Sequence, residues 1–335
     1  MRDDYLWDRS GPVDLAAERL ERSLRPLRHR PQKNPFQPAA PRRTWMWIVA
    51  GLSAAAIVAV AVIAWKARGP GRSSWEVARI AGQPVVDGSS LHDGARLAAA
   101  GFVETDGASQ AAITIPGCGR IEVFENTKVT LVRDDKKSQR MRLARGRIRA
   151  VISAPPRTFA VETYATTAND LGCAYTLACS ELGRGDLHVQ TGWVGLTRGR
   201  GEVFVPAGAS CHIVPPAGPG TPLFDDASEA FRSLVLQVDD GATSPALRDP
   251  ILRAALAAAR PKDAMSVWHL LTSAPPDLRW RVLDRLTELQ PLPEGVTRGD
   301  LLRLDPAALD RVWDALGFGA AALFRRFGAV AGAGG

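Results

Sequence analysis

The sequence has 335 residues, and 42 Lys and Arg against 35 Asp and Glu give a formal net charge of +7. This length is sufficient for two or three domains with a hydrophobic core. The 24 prolines and 31 glycines lie mostly between patterned segments, which excludes a wholly disordered chain. The positive charge is compatible with a nucleic acid, an anionic membrane surface or simply an arginine-rich composition.

Residues 1–43 are predicted to hold one short amphipathic helix followed by a proline-rich spacer. Apolar residues recur at helical spacing at Val13, Ala16, Leu20, Leu24 and Leu27. A single helix cannot bury such a stripe by itself. The helix is therefore expected either to lie on a membrane surface or to dock on a partner protein. Four prolines between residues 31 and 41 favour an extended spacer.

Residues 44–66 are predicted to form one transmembrane helix. The run from Trp45 to Trp65 contains no charged residue and would span roughly 31 Å as a helix, about the thickness of the hydrocarbon core. A signal peptide fits less well, because a long charged segment precedes the run and no small-residue cleavage site follows it. Six Lys and Arg flank its N-terminal side and four its C-terminal side, which favours a cytoplasmic N-terminus.

Residues 74–215 are predicted to form an all-β domain. Apolar residues alternate with polar ones, for example in AITIPG, KVTLV and GEVFVPAG, and turn residues separate these short runs. This spacing is typical of a solenoid, a sandwich or a roll.

The segment RMRLARGRIRA carries five arginines and could be read as a nucleic-acid patch. Apolar residues alternate with them, and the phase of the alternation changes at Arg145 and Gly146. A hairpin or corner with a solvated, arginine-rich face explains this pattern better. We therefore expect no nucleic-acid partner.

Residues 222–317 are predicted to form a small all-α unit, followed by a flexible tail at 318–335. Helices are expected to start behind Asp225 or Asp226, at Asp249-Pro250 and at Asp305-Pro306, where an N-cap precedes the first turn. The segments PKDAMSVWHLLTSA and PPDLRWRVLDRLTEL are predicted to pair antiparallel, with Trp280 among the facing residues. The helices would either pack on the β unit or form a protein-binding surface.

No sequence motif of catalysis or cofactor binding is present. The sequence contains no phosphate-binding loop, dinucleotide fingerprint, HExxH or GxSxG. Its five histidines are scattered. We therefore predict a non-enzymatic protein without a cofactor or metal site.

The β region resembles the FecR domain, the extracytoplasmic part of ferric-citrate-type sensors and anti-sigma regulators. The positions that carry the resemblance are Gly94, Val103, Thr105, Ala111, Ile113, Asn126, Thr127, Val129, Leu143, Gly146, Ile148, Phe159, Val161, Thr163, Gly172, Tyr175, Gly192, Val194, Val205, Ala207 and Gly208. The opening DYLWDRSG also looks like the cytoplasmic start of membrane-anchored members.

The resemblance implies a single-pass inner-membrane regulator whose C-terminal domains lie outside the cytoplasm. Its N-terminus would contact an extracytoplasmic-function sigma factor, through Tyr5, Leu6, Trp7, Leu20, Leu24 and Leu27. An envelope protein or a ligand would act on the β or helical domain, and membrane lipid would surround the helix. The alternative is an envelope scaffold protein with a FecR domain and no role in transcription.

The four cysteines, Cys118, Cys173, Cys179 and Cys211, all follow the predicted membrane helix, as expected for an oxidising compartment. On one extended strand Cys173 and Cys179 would lie about 20 Å apart, too far for a disulfide. Our preferred pairing is Cys173 with Cys211 and Cys118 with Cys179. Free buried thiols are the alternative.

Overall fold

The structure, a computed structural model, describes residues 15–25, 75–135, 137–198, 201–240 and 245–318. The chain divides into two compact units at residues 1–68 and 69–335. Of the first unit only one helix, α1 (Leu15–Leu24), is described. The predicted membrane span and the tail beyond residue 318 lie outside the described residues. Within the described ranges, no helix is both long and apolar enough to cross a membrane.

Residues 75–224 are mostly β-structure. In chain order the strands of this part are β1 (Trp75–Ala81), β2 (Val85–Val86), β3 (Ser89–Ser90), β4 (Arg96–Leu97), β5 (Phe102–Glu104), β6 (Gln110–Ile115), β7 (Gly119–Val123), β8 (Lys128–Asp135), β9 (Ser138–Ile152), β10 (Phe159–Glu162), β11 (Thr167–Asp170), β12 (Ala174–Cys179), β13 (Gly185–Thr191), β14 (Trp193–Arg198), β15 (Gly201–Pro206), β16 (Ala209–Val214), β17 (Gly218–Pro219) and β18 (Leu223–Phe224).

These strands form two sheets. One sheet has the order β4-β1-β6-β7-β9-β12-β13-β16, and both β17 and β18 pair with β16. The other has the order β3-β2-β5-β8-β9-β10-β11-β14-β15. The described ladders are antiparallel except for the one between β9 and β10. The prediction of a mainly β domain is confirmed.

Strand β9 belongs to both sheets, and its central glycine makes this possible. Up to Arg145 it pairs with β8 and β10, and from Gly146 onward it pairs with β7 and β12. Gly146 has φ +92°, and a Cβ atom there would collide with the backbone and hydroxyl of Thr127. The predicted corner is therefore confirmed, and the alternative of a hairpin is wrong.

The two sheets enclose a continuous hydrophobic core. In the first half of β9 the buried residues are odd-numbered, such as Met141 and Leu143, and in the second half they are even-numbered, such as Ile148 and Ala150. The parity changes because the strand passes from one sheet to the other. Trp75 of β1 lies 6.3 Å from Phe159 of β10, measured between ring centroids, and so joins the sheets. Burying one such large apolar side chain contributes about 1.5–3 kcal/mol.

The described residues after Phe224 are mostly helical. The helices are α2 (Glu229–Asp239), α3 (Pro245–Ala258), α4 (Ala264–Ser273), α5 (Arg279–Leu289), α6 (Arg298–Leu302) and α7 (Pro306–Ala315), and a 3-10 turn (Pro261–Asp263) precedes α4. The predicted start of α7 is confirmed, because the Asp305 carboxylate accepts a hydrogen bond from the Ala308 backbone N–H at 2.9 Å. The structure therefore agrees with the prediction of a mainly β domain followed by a C-terminal helical region.

Two predicted helix starts are wrong, because the aspartates concerned bind side chains instead of the helix backbone. Helix α2 starts after Ser228, whose hydroxyl accepts from the Phe231 N–H, while Asp225 contacts His188 and Asp226 contacts Lys262. Helix α3 starts at Pro245 and continues through Pro250.

Helices α4 and α5 pack together as predicted, and α4 also packs on the β region. The Ser266 hydroxyl donates to the Pro222 carbonyl at 2.6 Å. The ring centroids of Trp268 and Trp313 are 4.8 Å apart, and Trp313 lies 6.0 Å from Trp193 of β14. The placement of Trp280 is wrong: it is 44% exposed and its ring contacts the Arg281 guanidinium. The helices and the sheets therefore share one core.

Candidate functional site

Helix α1 presents exposed leucines. Leu20 and Leu24 are 65% and 51% exposed, and they lie about 40° apart around the helix axis. On the opposite side Arg22 and Glu18 form an ion pair at 3.5 Å. The helix is therefore amphipathic, as predicted, and both leucines of its apolar face are exposed.

Of the predicted partner-binding residues, the structure describes Leu20 and Leu24 only. Tyr5, Leu6, Trp7 and Leu27 lie outside the described residues. A third exposed leucine, Leu15, lies about 140° from Leu20 around the axis. Leu15 is therefore not part of the same face, although its chemistry is identical.

The arginines of β9 are used in ion pairs with glutamates of other segments. Both Arg140 and Arg142 contact Glu162, at 3.5 and 3.2 Å. Arg145 contacts Glu104 at 2.7 Å. The remaining two, Arg147 and Arg149, contact Glu125 and Glu122. This is the solvated face that the alternation predicted, and neighbouring carboxylates offset part of its positive charge.

The four cysteines are buried and free, so the structure does not contain the expected disulfides. Instead each of three thiols donates to an oxygen: Cys173 to Asp170 Oδ2 at 2.5 Å, Cys179 to the Leu143 carbonyl and Cys211 to the Gly220 carbonyl. These three thiols are therefore held by oxygen acceptors in the protein interior.

Burial makes these thiols poor nucleophiles. It raises the pKa of Cys118 to about 12 and that of Cys179 to about 11. The pKa of Cys173 is also raised, by burial first and then by the charge of Asp170. A thiol must lose its proton to attack a substrate or bind a metal. In the described part of the chain, no three His, Cys, Asp or Glu side chains are grouped as a metal site would require.

Sequence reasoning did not identify Asp170, the most unusual titratable residue of the β region. Its side chain is 1% exposed and accepts hydrogen bonds from the Gly172 N–H at 2.7 Å and from the Cys173 thiol. Burial raises its carboxyl pKa to about 6. The sequence offers one weak signal, since Asp170 precedes Gly172, a residue with φ +86°, as in a tight Asx turn.

Three comparisons with known proteins were made. Residues 102–195 match the model of a family described as FecR protein. Two crystal structures of a protein from Parabacteroides distasonis ATCC 8503, provisionally described as an anti-sigma factor, at 1.65 and 2.50 Å resolution, are similar to part of the chain. For each, the identity is 13%, the TM-score is 0.33, and the match covers 41% of this chain and 64% of that chain.

The chain thus spans less than two thirds of the protein in those crystal structures. No protein with a curated description matches the sequence. The family match runs from the first residue of β5 into β14 and includes the corner in β9, at which the two sheets join. Residues 102–195 match this family model and are called the FecR segment.

Proposed function

We propose that this protein is a membrane-anchored, non-enzymatic regulator that relays a signal from outside the cytoplasm to a sigma factor. The FecR match over residues 102–195 carries the proposal, because the domain it identifies resembles the extracytoplasmic part of such regulators. In this scheme residues 45–65 cross the inner membrane once. The N-terminal segment is cytoplasmic, and the β and helical regions lie on the other side.

The exposed face of α1 supports a protein partner at the N-terminus. An amphipathic helix gains free energy when its apolar face enters a groove of another protein. Leu20 and Leu24 are largely exposed, so their burial would contribute about 1.5–3 kcal/mol each. The sigma factor is the partner to which the FecR resemblance points, and an envelope protein or ligand would act at the other end of the chain.

The non-enzymatic part of the proposal is supported by the state of the nucleophiles. The thiols of Cys118, Cys173 and Cys179 have raised pKa values and are buried. His188 and His212 are each held by an aspartate, Asp225 and Asp186. The two pairs are neighbours on β13 and β16, because Asp186 lies opposite His212 and His188 lies opposite Ser210. All four side chains are 31–69% exposed, so none of them has the buried environment that would activate it.

Co-purification tests the sigma-factor partner. The full-length chain is expressed in membranes together with the sigma factor encoded nearest to its gene, solubilised in mild detergent and captured through a C-terminal tag. We expect the sigma factor to be retained. The double substitution Leu20→Asp and Leu24→Asp should lower retention more than tenfold, since losing even one buried leucine costs about 1.5 kcal/mol and tenfold in affinity corresponds to about 1.4 kcal/mol.

Leu15→Asp is the matched control, because it introduces the same change on another face of α1. It should retain the sigma factor as well as the wild type does. Equal retention by the double variant, or no retention by the wild type, would contradict the proposed partner and favour an envelope scaffold. A phosphatase reporter that is active only outside the cytoplasm, fused after residue 318, tests the topology, and an inactive fusion would overturn it.

A further inference from the structure

A cavity lies where the last hairpin of the β region meets the helices. Its volume is about 370 Å³, and its walls come from β16, β17 and helices α2 to α4, together with the loop after α4. Six apolar side chains form much of the wall: Val214, Pro219, Val238, Leu252, Leu270 and Leu278. This size and this apolar lining are typical of small-molecule sites.

Two glycines shape one wall of the cavity. Gly218 and Gly220 lie on either side of Pro219. Gly218 has φ +84°, a backbone conformation that other residues adopt only with strain. A Cβ atom at Gly220 would lie 2.5 Å from Asp239 Oδ2, so glycine at this position allows the Asp239 side chain to pack against the hairpin.

Arg248 is the cationic residue of the cavity lining. Its guanidinium forms no ion pair with the described residues, whereas Arg253 of the same helix and Arg281 of α5 both contact Asp249, at 3.3 and 2.8 Å. A guanidinium presents two parallel donors that match a carboxylate. Arg248 therefore offers the cavity an unused anion-binding group.

The other polar groups of the lining are engaged in the protein itself. The Asp239 carboxylate accepts from the backbone N–H and the hydroxyl of Thr221, at 2.6 and 2.9 Å. The hydroxyls of Thr272 and Ser273 donate to the His269 carbonyl, at 2.8 and 3.1 Å. These hydrogen bonds hold the Asp239 carboxylate in place without neutralising its charge, and Arg248 is the lining group that can bind an anion.

We propose that this cavity binds a small amphipathic carboxylate. The apolar body of the ligand would fill the space between Leu252, Leu270 and Leu278, and its carboxylate would accept hydrogen bonds from the Arg248 guanidinium. An alcohol of the same shape would bind less tightly because it cannot form the paired, charge-assisted contact. The proposal concerns the cavity alone and does not depend on a partner at α1.

Isothermal titration calorimetry on the full-length chain in detergent tests this site. The probes are 4-phenylbutyrate and 4-phenylbutan-1-ol, which share an apolar body and differ in the head group. We expect the carboxylate to bind at least tenfold more tightly than the alcohol. Arg248→Gln should weaken the carboxylate at least tenfold and leave the alcohol within twofold.

Two further variants provide the controls. Arg253→Gln removes an arginine from the same helix that is already paired with Asp249, so it should bind both probes like the wild type. Ala217→Trp, at the exposed rim of the cavity, should weaken both probes without altering the core. The proposal is overturned if the wild type binds neither probe, if both bind equally, or if Arg248→Gln binds the carboxylate unchanged.

Discussion

The buried carboxylate of Asp170 should make the β region less stable at neutral than at mildly acidic pH. Asp170 is 1% exposed, and none of the ion pairs among the described residues involves it. The nearest arginine in sequence, Arg157, holds Glu202 with both guanidinium nitrogens, at 2.7 and 2.6 Å. The charged form of Asp170 is therefore stabilised by hydrogen bonds from the Cys173 thiol and from the backbone N–H groups of Gly172 and Cys173, and by no ion pair with the described residues.

The size of this loss in unfolding free energy follows from the carboxyl pKa of Asp170, which burial raises from 3.8 to about 6. A raised folded-state pKa means that the contribution to stability is fully present below pH 3.8 and is lost as the pH rises through about 6. The complete loss amounts to about 3 kcal/mol, of which about 2 kcal/mol falls between pH 4.5 and 8. The neighbouring groups stay neutral in this window, because burial raises the pKa values of Cys118, Cys173 and Tyr175.

Asp170→Asn tests this reasoning. The amide keeps a carbonyl acceptor for the Gly172 N–H and has no charge to bury, but its NH₂ group would face the Cys173 thiol at a cost of about 1 kcal/mol. At pH 8 the variant should therefore be more stable than the wild type by about 2 kcal/mol. Guanidinium unfolding of the full chain in detergent, followed by tryptophan fluorescence at pH 4.5 and 8, measures both free energies of unfolding.

The decisive comparison is between the wild type and Asp170→Asn, in how strongly the free energy of unfolding depends on pH. The wild type should lose about 2 kcal/mol more than Asp170→Asn between pH 4.5 and 8. Asp93→Asn removes an exposed carboxylate and should behave like the wild type. Equal pH dependence in the wild type and Asp170→Asn would refute the assignment of this cost to Asp170.

Three further predictions concern the β region. Gly146→Ala should lower the free energy of unfolding by about 3 kcal/mol or more, because it adds a clash with Thr127 to a left-handed backbone. Gly172→Ala has open space around its Cβ position and should cost about 1 kcal/mol. Equal costs would contradict the clash with Thr127. Glu202→Ala leaves the guanidinium of Arg157 without its bidentate partner and should cost about 2–3 kcal/mol, against less than about 0.5 kcal/mol for the exposed Glu181→Ala. Without any reductant, a thiol reagent should label four cysteines after unfolding and almost none before, and fewer than four would indicate a disulfide.

Local patterns in the sequence were sufficient to locate the change of direction in β9, although they left both a hairpin and a corner open. Its burial depends on the parity of neighbouring residues, so the change of phase at Gly146 marks the point where the strand changes sheets. The N-cap at Asp305 was also readable, because its acceptor role involves a backbone N–H only three residues away. In both cases the interactions that decide the structure lie within a few residues.

The errors arose where distant residues compete for the same group. Asp249 has the sequence context of an N-cap, yet its carboxylate contacts Arg281 from another helix. Asp225 contacts His188 of β13, which no local pattern connects to it. The cysteines were misjudged for the same reason, since the choice between a disulfide and a free thiol depends on which oxygen or sulfur the fold places beside each one. Asp170 and Arg248 could not be recognised as special, because their lack of an ion-pair partner is a property of the folded chain.

The helical region and the FecR segment are joined by aromatic packing that connects the two proposed roles of this chain. Leu270 lines the cavity and lies on α4 two residues after Trp268. The Trp268 ring contacts Trp313 at 4.8 Å between centroids, and Trp313 contacts Trp193, within the FecR match, at 6.0 Å. Because interiors are close-packed, a ligand that shifts α4 must be accommodated by these rings. A ligand in the cavity would therefore act on the FecR segment through side-chain contacts. A ligand on the outer face of β9 would instead contact ion pairs that water already screens.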